Sequence, residues 1–264
     1  MFVREKVIKA ILDSGENFMS GEQLSKKLGI SRTAVWKHIN ALREEGYNIE
    51  SVNKKGYRLA EKPDDILSSE NIAYNLPTEF IGKKVIHLDT VGSTNDYAKE
   101  IGNKVSGGTL IISEQQTKGK GRLGRVWKSK SGDGIWMSLI IKPKIEPYKA
   151  PFLTLVAGAS VVKALSNLGV EASIKWPNDI IVHNKKICGI LTELSAEMER
   201  VNYVVIGIGI NIKTIDFPDE IKEKATSLYK EGYKLSRVDI VRQFCIEFEK
   251  LYKGYILDGN KQDT

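Results

Sequence analysis

The sequence predicts an α+β protein in two domains. Residues 1–62 read as a winged helix-turn-helix, 63–68 as a linker, and 69–264 as an α/β domain on a mixed, mainly antiparallel sheet. Three observations carry this. Apolar residues recur at helical spacing up to about Glu45, then alternate across a basic turn. Polar, proline-bearing Glu61-Lys-Pro-Asp-Asp65 interrupts the pattern. From Lys84 onward, strand-like and helix-like runs intermix with hairpin signals, unlike the regular alternation of a parallel sheet.

Val3, Val7, Ile8, Ile11 and Leu12 share one face of a first helix, which Asp13-Ser-Gly15 stops. Ser20 is placed to cap a second helix, Gly21 to Leu28, with Glu22 and Gln23 in its first turn. Gly29 turns the chain. Ser31 then caps a third helix with Val35, Ile39 and Leu42 inward, and Gly46 ends it. Tyr47 to Leu59 reads as a hairpin turning at Asn53-Lys-Lys-Gly56. In a winged helix-turn-helix the third helix enters the major groove and the wing meets phosphates. Arg32, Thr33, Lys37 and Asn40 lie off the apolar stripe, and Lys54 and Lys55 sit at the wing tip; these are the candidate DNA contacts. Trp36 is ambiguous, a plug in the small core being the commoner fate of a tryptophan. The competing reading of the domain is a helical module for protein contacts.

In the second domain, Ser68-Ser-Glu-Asn71 starts a helix and Lys84 to Asp89 is a strand. Ser93-Thr-Asn95 opens a helix ending near Ile101, and Thr109 to Ser113 and Gly134 to Lys142 are strands. Phe152 to Leu168 is a long apolar helix. Ile180 to His183 and Lys186 to Glu193 pair around Asn184-Lys185, Tyr203 to Asn211 is a further strand, and Ser236 caps a last helix reaching about Tyr255.

Composition narrows the function. The 264 residues are 41% hydrophobic and 28% charged, as in ordinary globular proteins. No apolar run approaches the roughly 20 residues of a membrane span, and the charged Met1-Phe-Val-Arg-Glu-Lys start is no signal peptide. The expectation is a cytoplasmic protein with no membrane contact. Cys188 and Cys245 read as buried, reduced thiols. With His38, His87 and His183 scattered, no protein-held metal is expected. The net charge of +7 favours an acidic partner, and residues 1–62 hold twelve Lys and Arg against eight Asp and Glu.

The most informative stretch is Gln116-Thr-Lys-Gly-Lys-Gly-Arg-Leu-Gly-Arg-Val-Trp127. Its glycines let backbone N–H groups approach an anion, and Lys118, Lys120, Arg122 and Arg125 add charge. Gly119-Lys-Gly-Arg-Leu-Gly124 fits G-x-G-x-x-G, yet a strand follows where dinucleotide binding needs a helix, and no Gly-Lys-Ser/Thr makes it a Walker loop. Three further clusters stand out. Gly92-Ser-Thr-Asn-Asp96 holds more short polar side chains than one helix cap needs. Lys175-Trp-Pro-Asn-Asp179 delivers one lysine at a rigid turn. Gly207-Ile-Gly-Ile-Asn211 places glycines inside a strand, the mark of a bulge or of close approach by a ligand.

In this order, the Gln116 loop, Lys175-Trp-Pro-Asn-Asp179 and Gly207-Ile-Gly-Ile-Asn211 resemble the biotin–protein ligase family, over nearly the full chain. The N-terminal winged helix makes the sequence similar to the bifunctional form that is also the biotin operon repressor. The resemblance implies a catalytic domain like that of class II aminoacyl-tRNA synthetases. It implies biotin and ATP as substrates, with Mg2+, forming biotinyl-5′-adenylate, and a biotin carboxyl carrier protein of acetyl-CoA carboxylase as acceptor. It also implies operator DNA and a ligand-promoted homodimer. Carried over by motif, Ser93, Thr94, Asn95 and Gln116 would hold the ureido ring, whose groups both donate and accept. Lys120, Gly121 and Arg122 would cover the biotin carboxylate and the phosphate, Lys175 would be the main charge at the α-phosphate, and Trp127, Asn178 and Asn211 would serve the nucleotide. Two departures stand out. The family loop usually reads Gly-Arg-Gly-Arg, where Lys120 replaces the first arginine and supplies charge without a planar fork. The family also carries a small C-terminal β-barrel, for which polar Asp258 to Thr264 shows no signal. A non-catalytic biotin sensor and a lipoate-type ligase are the alternatives.

Overall fold

The computed structural model describes residues 3–60, 65–198 and 200–262, so that residues 63 and 64 of the expected linker, with 61 and 62 before it, lie outside the described residues. The chain divides into two compact units, Met1–Tyr74 and Asn75–Thr264.

The first unit contains helices α1 (Val3–Asp13), α2 (Gly21–Leu28) and α3 (Arg32–Glu44), a hairpin of β1 (Ile49–Val52) and β2 (Gly56–Leu59), and the short α4 (Ser69–Ala73). The caps are those the sequence predicts. The Gln23 N–H donates to Ser20 Oγ at 3.1 Å and the Ser20 N–H to Gln23 Oε1 at 2.7 Å, a reciprocal capping box. Gly29 ends α2 with φ +66°, and Ser31 Oγ accepts from the Ala34 N–H at 3.1 Å. The apolar stripes of the helices meet in a core of Val7, Ile8, Ile11, Leu24, Val35, Ile39 and Leu42. Trp36 does not plug it. Helical spacing turns residue 36 away from the Val35–Ile39–Leu42 stripe, and the indole is 54% exposed. At the wing, a Cβ on Gly56 (φ +112°) would stand 2.3 Å from the Met19 carbonyl oxygen, so only glycine lets the hairpin lie against that loop. Helix α4 belongs to this unit, whereas the sequence reading opened the second domain at residue 69; the Tyr74 hydroxyl donates to the Leu12 carbonyl at 2.9 Å.

In the second unit the elements are β3 (Val85–Val91), α5 (Thr94–Ile101), β4 (Leu110–Gln116), β5 (Gly134–Ile141), α6 (Phe152–Asn167), β6 (Ser173–Lys175), β7 (Asp179–Val182), β8 (Lys185–Glu197), β9 (Arg200–Asn211) and α7 (Arg237–Gln262). The strands form one sheet in the order β3-β4-β5-β9-β8-β7-β6. Only β3 and β4 run parallel; every other neighbouring pair is antiparallel, matching the expected mixed sheet. Strands β8 and β9 are longer than the sequence suggests because their pairing continues through polar Ser195–Glu197. Central β5 is buried along its length. Ala98 of α5 packs on Ile111, Ile140, Tyr203 and Val205, so α5 covers the face bearing the even residues of β5 and the odd residues of β9. The stretch Pro147–Asn167 is long and apolar enough to cross a membrane, by length and composition alone. It is a core helix here: Leu153, Ala157, Val161, Ala164 and Leu165 are buried in this unit.

Candidate functional site

The three polar clusters of the second unit converge on the sheet face that α5 covers. At the start of α5, Ser93, Thr94 and Asn95 are all buried. Ser93 occupies the helix-cap position without making a side-chain cap bond, so capping does not explain its hydroxyl. That hydroxyl has no hydrogen-bond partner among the described residues. Asn95 is locked from three sides: its Nδ2 donates to Glu193 Oε2 at 2.8 Å and to the Leu191 carbonyl at 3.2 Å, and its Oδ1 accepts from the Ser138 hydroxyl at 2.6 Å. Thr94 Oγ1 and Ser138 Oγ lie 2.8 Å apart. The Thr94 N–H donates to Gln116 Oε1 at 2.8 Å, and Gln116 Nε2 donates to Ser129 Oγ at 2.8 Å. These bonds fix which way both amides point.

The in-strand glycines prove to be places of close approach, and what approaches is side chain. Gly207 lies opposite Ser138 in the sheet register, under Asn95. A Cβ there would stand 2.2 Å from Asn95 Oδ1. Gly209 lies opposite Gly189, and together they form a floor for the Trp127 indole. A Cβ on Gly209 would meet Trp127 Nε1 at 2.6 Å, and one on Gly189 would meet its ring at 2.8 Å. The Trp127 Nε1 atom is buried with no hydrogen-bond partner among the described residues. Lys186 Nζ lies over this indole, 5.3 Å from the ring centroid, and pairs with Asp179 at 2.6 Å.

The glycine loop closes on itself through the Gly121 N–H to the Arg125 carbonyl (2.7 Å) and the Trp127 N–H to the Gly119 carbonyl (2.9 Å). Leu123 (φ +57°) and Gly124 (φ +72°) are both left-handed, and the leucine is 90% exposed. A leucine held there costs about 1–2 kcal/mol of backbone strain. Arg122 NH1 donates to Asn178 Oδ1 at 2.9 Å, tying the loop to the cis Trp176–Pro177 turn. Asn178 Nδ2 in turn donates to the Ile190 carbonyl at 2.9 Å. Lys120 Nζ is 2.6 Å from Asp96 Oδ2, the residue after Asn95. Asp96 also pairs with Lys99 at 3.1 Å, and Lys99 with Glu193 at 2.8 Å. Burial pushes the Asp96 carboxyl up, but the hydrogen bonds and charges of Lys120 and Lys99 outweigh it and hold it below the ordinary carboxylate value. Lys99 is held above the usual lysine value, chiefly by the Glu193 carboxylate.

Lys175, at the end of edge strand β6, is exposed. Like Lys118 and Arg125, its side chain has no ion-pair or hydrogen-bond partner among the described residues. Two uncompensated cations in the glycine loop, with Lys175 just before the turn whose Asn178 Arg122 reaches, suit an anionic ligand. Asn211 is buried at the end of β9, and its Nδ2 donates to the Thr226 carbonyl at 3.1 Å, so part of its amide is spent on structure. Sequence reasoning missed Ser138, Ser129, Lys99 and Glu193, and took Asp96 only as the end of the Gly92–Asp96 polar run. Ser138 alone carried a signal, as a hydroxyl within a strand of otherwise apolar residues. The cysteines are buried and form no disulfide, and burial pushes both thiols up, Cys245 to about 12, which disfavours the thiolate a nucleophile needs.

In the first unit, Arg32, Thr33 and Lys37 are exposed along α3 with Trp36 beside them, and Lys54 and Lys55 are exposed at the wing tip. Asn40 is half-buried and accepts from Arg43 NH1 at 3.3 Å. Phe18 underlies the wing, with Arg58 4.6 Å and Lys55 5.9 Å from its ring centroid.

Known proteins resemble this chain in sequence and fold. The model of the biotin/lipoate A/B protein ligase family matches residues 88–211, and that of an HTH domain matches residues 3–58. The bifunctional ligase/repressor BirA of Bacillus subtilis is 46% identical over 262 residues, 97% of this chain and 80% of that protein. The bifunctional ligase/repressor BirA of Escherichia coli is 38% identical over 86% of this chain and 70% of its own length. Among solved structures, a biotin protein ligase from Aquifex aeolicus in complex with biotin and ATP is 36% identical, with a TM-score of 0.58 over 66% of this chain and 72% of that one.

Proposed function

The chain belongs to the family of bifunctional biotin–protein ligases and repressors, and we propose on that premise that it activates biotin with ATP and transfers it to a carrier lysine, while repressing biotin genes. In the first step a biotin carboxylate oxygen attacks the α-phosphorus of ATP. The bond to the β-phosphate breaks, and pyrophosphate leaves biotinyl-5′-adenylate. In the second, the ε-amine of a lysine on biotin carboxyl carrier protein attacks the acyl carbon. AMP leaves, an amide forms, and the amine's proton passes to solvent. Neither step needs a protein nucleophile, so catalysis is positioning and charge stabilisation.

The observation that carries this reading is the pairing of a locked polar cluster with a cationic loop. The hydroxyl of Ser93, with Thr94, Asn95 and Gln116, presents donors and acceptors to a ureido ring. Lys120, Gly121 and Arg122 lie over the carboxylate and the phosphate, and partner-free Lys175 faces the α-phosphate. Trp127 on its glycine floor, Asn178 and Asn211 take the nucleotide side. Mg2+ arrives with the nucleotide. Among the described residues no group of three or more His, Cys, Asp or Glu is placed to hold a metal. A magnesium ion commonly keeps several waters and is held mainly by substrate phosphates. The first unit reads operator DNA through Arg32, Thr33, Lys37 and Asn40, with Lys54 and Lys55 on phosphates. The adenylate promotes a homodimer whose two-fold axis matches a palindromic site. With ATP, carrier and DNA as its proposed partners, a cytoplasmic location is part of the same proposal.

The test is incubation with biotin, ATP, Mg2+ and purified carrier. A carrier mass increased by one biotinyl group, and not by lipoyl when lipoate is supplied, is expected. Carrier left unmodified, or modified equally by lipoate, would overturn the assignment.

A further inference from the structure

The loop's departure from the family pattern at Lys120 meets a compensating feature on α5. We propose that Asp96 is a positioning residue for Lys120, seating the ammonium beside the Thr94–Asn95 cluster with an orientation that an arginine fork would supply by itself. The inference rests on the ligase reading of the site.

The geometry is specific. Lys120 Nζ lies 2.8 Å from Asp96 Oδ1 and 2.6 Å from Oδ2, so the ammonium straddles both carboxylate oxygens. Asp96 is itself fixed, by Lys99 at 3.1 Å on its own helix. Lys99 is anchored across to β8 by Glu193 Oε1 at 2.8 Å, and Glu193 Oε2 accepts from Asn95 Nδ2 at 2.8 Å. Charges alternate along Lys120, Asp96, Lys99 and Glu193, and the chain ends on a side chain of the ureido cluster. The loop cation and that cluster thus share one frame. An ammonium carries three donors, so with two directed at Asp96 one remains for a ligand oxygen. A lysine stem is flexible and loses much rotamer freedom when fixed, whereas a guanidinium is planar and pre-organised. Pinning Lys120 ahead of binding removes that loss from the binding step.

A bland reading exists. Asp96 stands in the first turn of α5, where a carboxylate favours any helix. The two readings differ in whether Asp96 matters through residue 120. The experiment is therefore a double-mutant cycle in the full chain: Asp96→Asn, Lys120→Arg and the pair, each read by biotin-dependent pyrophosphate–ATP exchange and by melting temperature. We expect Asp96→Asn to raise the KM for biotin roughly two- to tenfold, the range for freeing one rotamer-rich side chain. We expect most of that loss to vanish in the Lys120→Arg background. Equal losses in both backgrounds, or tighter binding on removing the carboxylate, would overturn the proposal. Wild-type exchange is the control: its absence would tell against the ligase reading and not against the pairing. A second readout needs no catalysis. Limited trypsin digestion followed by mass spectrometry should show faster cleavage after Lys120 in Asp96→Asn than in wild type. An unchanged rate there would overturn the proposal even in a chain that exchanges no pyrophosphate.

Discussion

Replacing Gly207 by alanine tests whether the strand glycines exist to seat the site's side chains. The new methyl would stand 2.2 Å from Asn95 Oδ1, 2.8 Å from its Cγ and 2.9 Å from its Nδ2. Carbon and oxygen approach comfortably only to about 3.3 Å, so the amide must retreat by roughly 1 Å. Asn95 cannot retreat and keep its bonds to Ser138 (2.6 Å), Glu193 (2.8 Å) and the Leu191 carbonyl (3.2 Å). At about 1 kcal/mol for each net hydrogen bond, with the Ser138 hydroxyl left buried, the loss comes to about 2–4 kcal/mol. In a unit of this size that lowers the melting temperature by about 5–10 °C. A 1 Å displacement of a ligand-positioning group weakens function by up to about a hundredfold, so biotin affinity should fall about 10- to 100-fold. Isothermal titration with biotin and differential scanning calorimetry read the two effects. Gly92→Ala is the control, because a Cβ there meets nothing within 4 Å. Gly207→Ala binding biotin within about twofold of wild type at an unchanged melting temperature would refute the argument. A lowered melting temperature with full affinity would separate Asn95 from the ligand.

Four further outcomes are expected. Lys175→Ala should leave stability within about 0.5 kcal/mol, since its side chain has no partner to lose, yet slow adenylation by about a hundredfold or more; intact carrier biotinylation would contradict its role. Arg122→Gly should release the adenylate into solution, because a positive clamp and the bond to Asn178 are both lost; trapping released adenylate with a carrier-free amine reads this, and undiminished retention would count against it. Glu249→Gln should destabilise the second unit by at least about 2 kcal/mol. The buried carboxylate accepts from the Glu79, Phe80 and Ile81 N–H groups at 2.7, 2.9 and 3.0 Å. Burial raises its pKa, but these bonds and Lys253 outweigh that and lower it overall. A depressed folded pKa contributes stability that is full above the ordinary carboxylate value and is lost as pH falls through the folded one. The gap between wild type and variant in urea unfolding should therefore narrow between about pH 7 and about pH 3.5, and a gap independent of pH would contradict the cause. Finally, Lys54→Ala with Lys55→Ala should reduce the salt slope of operator binding by about one for each phosphate the wing no longer neutralises; an unchanged slope would remove the wing from the interface.

Much of this architecture was legible because the informative residues are out of place in their surroundings. Ser20, Ser31 and Gly29 announce the first unit's helices because caps act locally, and the structure shows the very bonds expected of them. The glycine loop was legible because four cations between glycines serve no core. Trp36 was not, since large aromatics usually fill cores and only the three-dimensional stripe of Val35, Ile39 and Leu42 shows this one to be superfluous there. The glycines of β9 signalled close approach, but sequence cannot say that Asn95 and Trp127 are what approach; the 207–138 and 209–189 pairings, set by sheet register, decide that. Ser138 passed unnoticed because one buried hydroxyl is common. Ser160 is another, and it merely donates to the Val156 carbonyl of its own helix at 2.6 Å. The Lys120–Asp96–Lys99–Glu193 network draws on a loop, a helix and a strand far apart in the chain, and no spacing rule joins them.

The most direct measurement of the central claim is biotin- and Mg2+-dependent exchange of labelled pyrophosphate into ATP by this 264-residue chain, beside Lys175→Ala and Gly207→Ala. Exchange by the wild type, nearly abolished in the first variant and weakened through biotin affinity in the second, is the predicted result. No exchange by a wild-type chain that still binds biotin in calorimetry would contradict the claim that the cluster and the cationic loop together form an adenylating site.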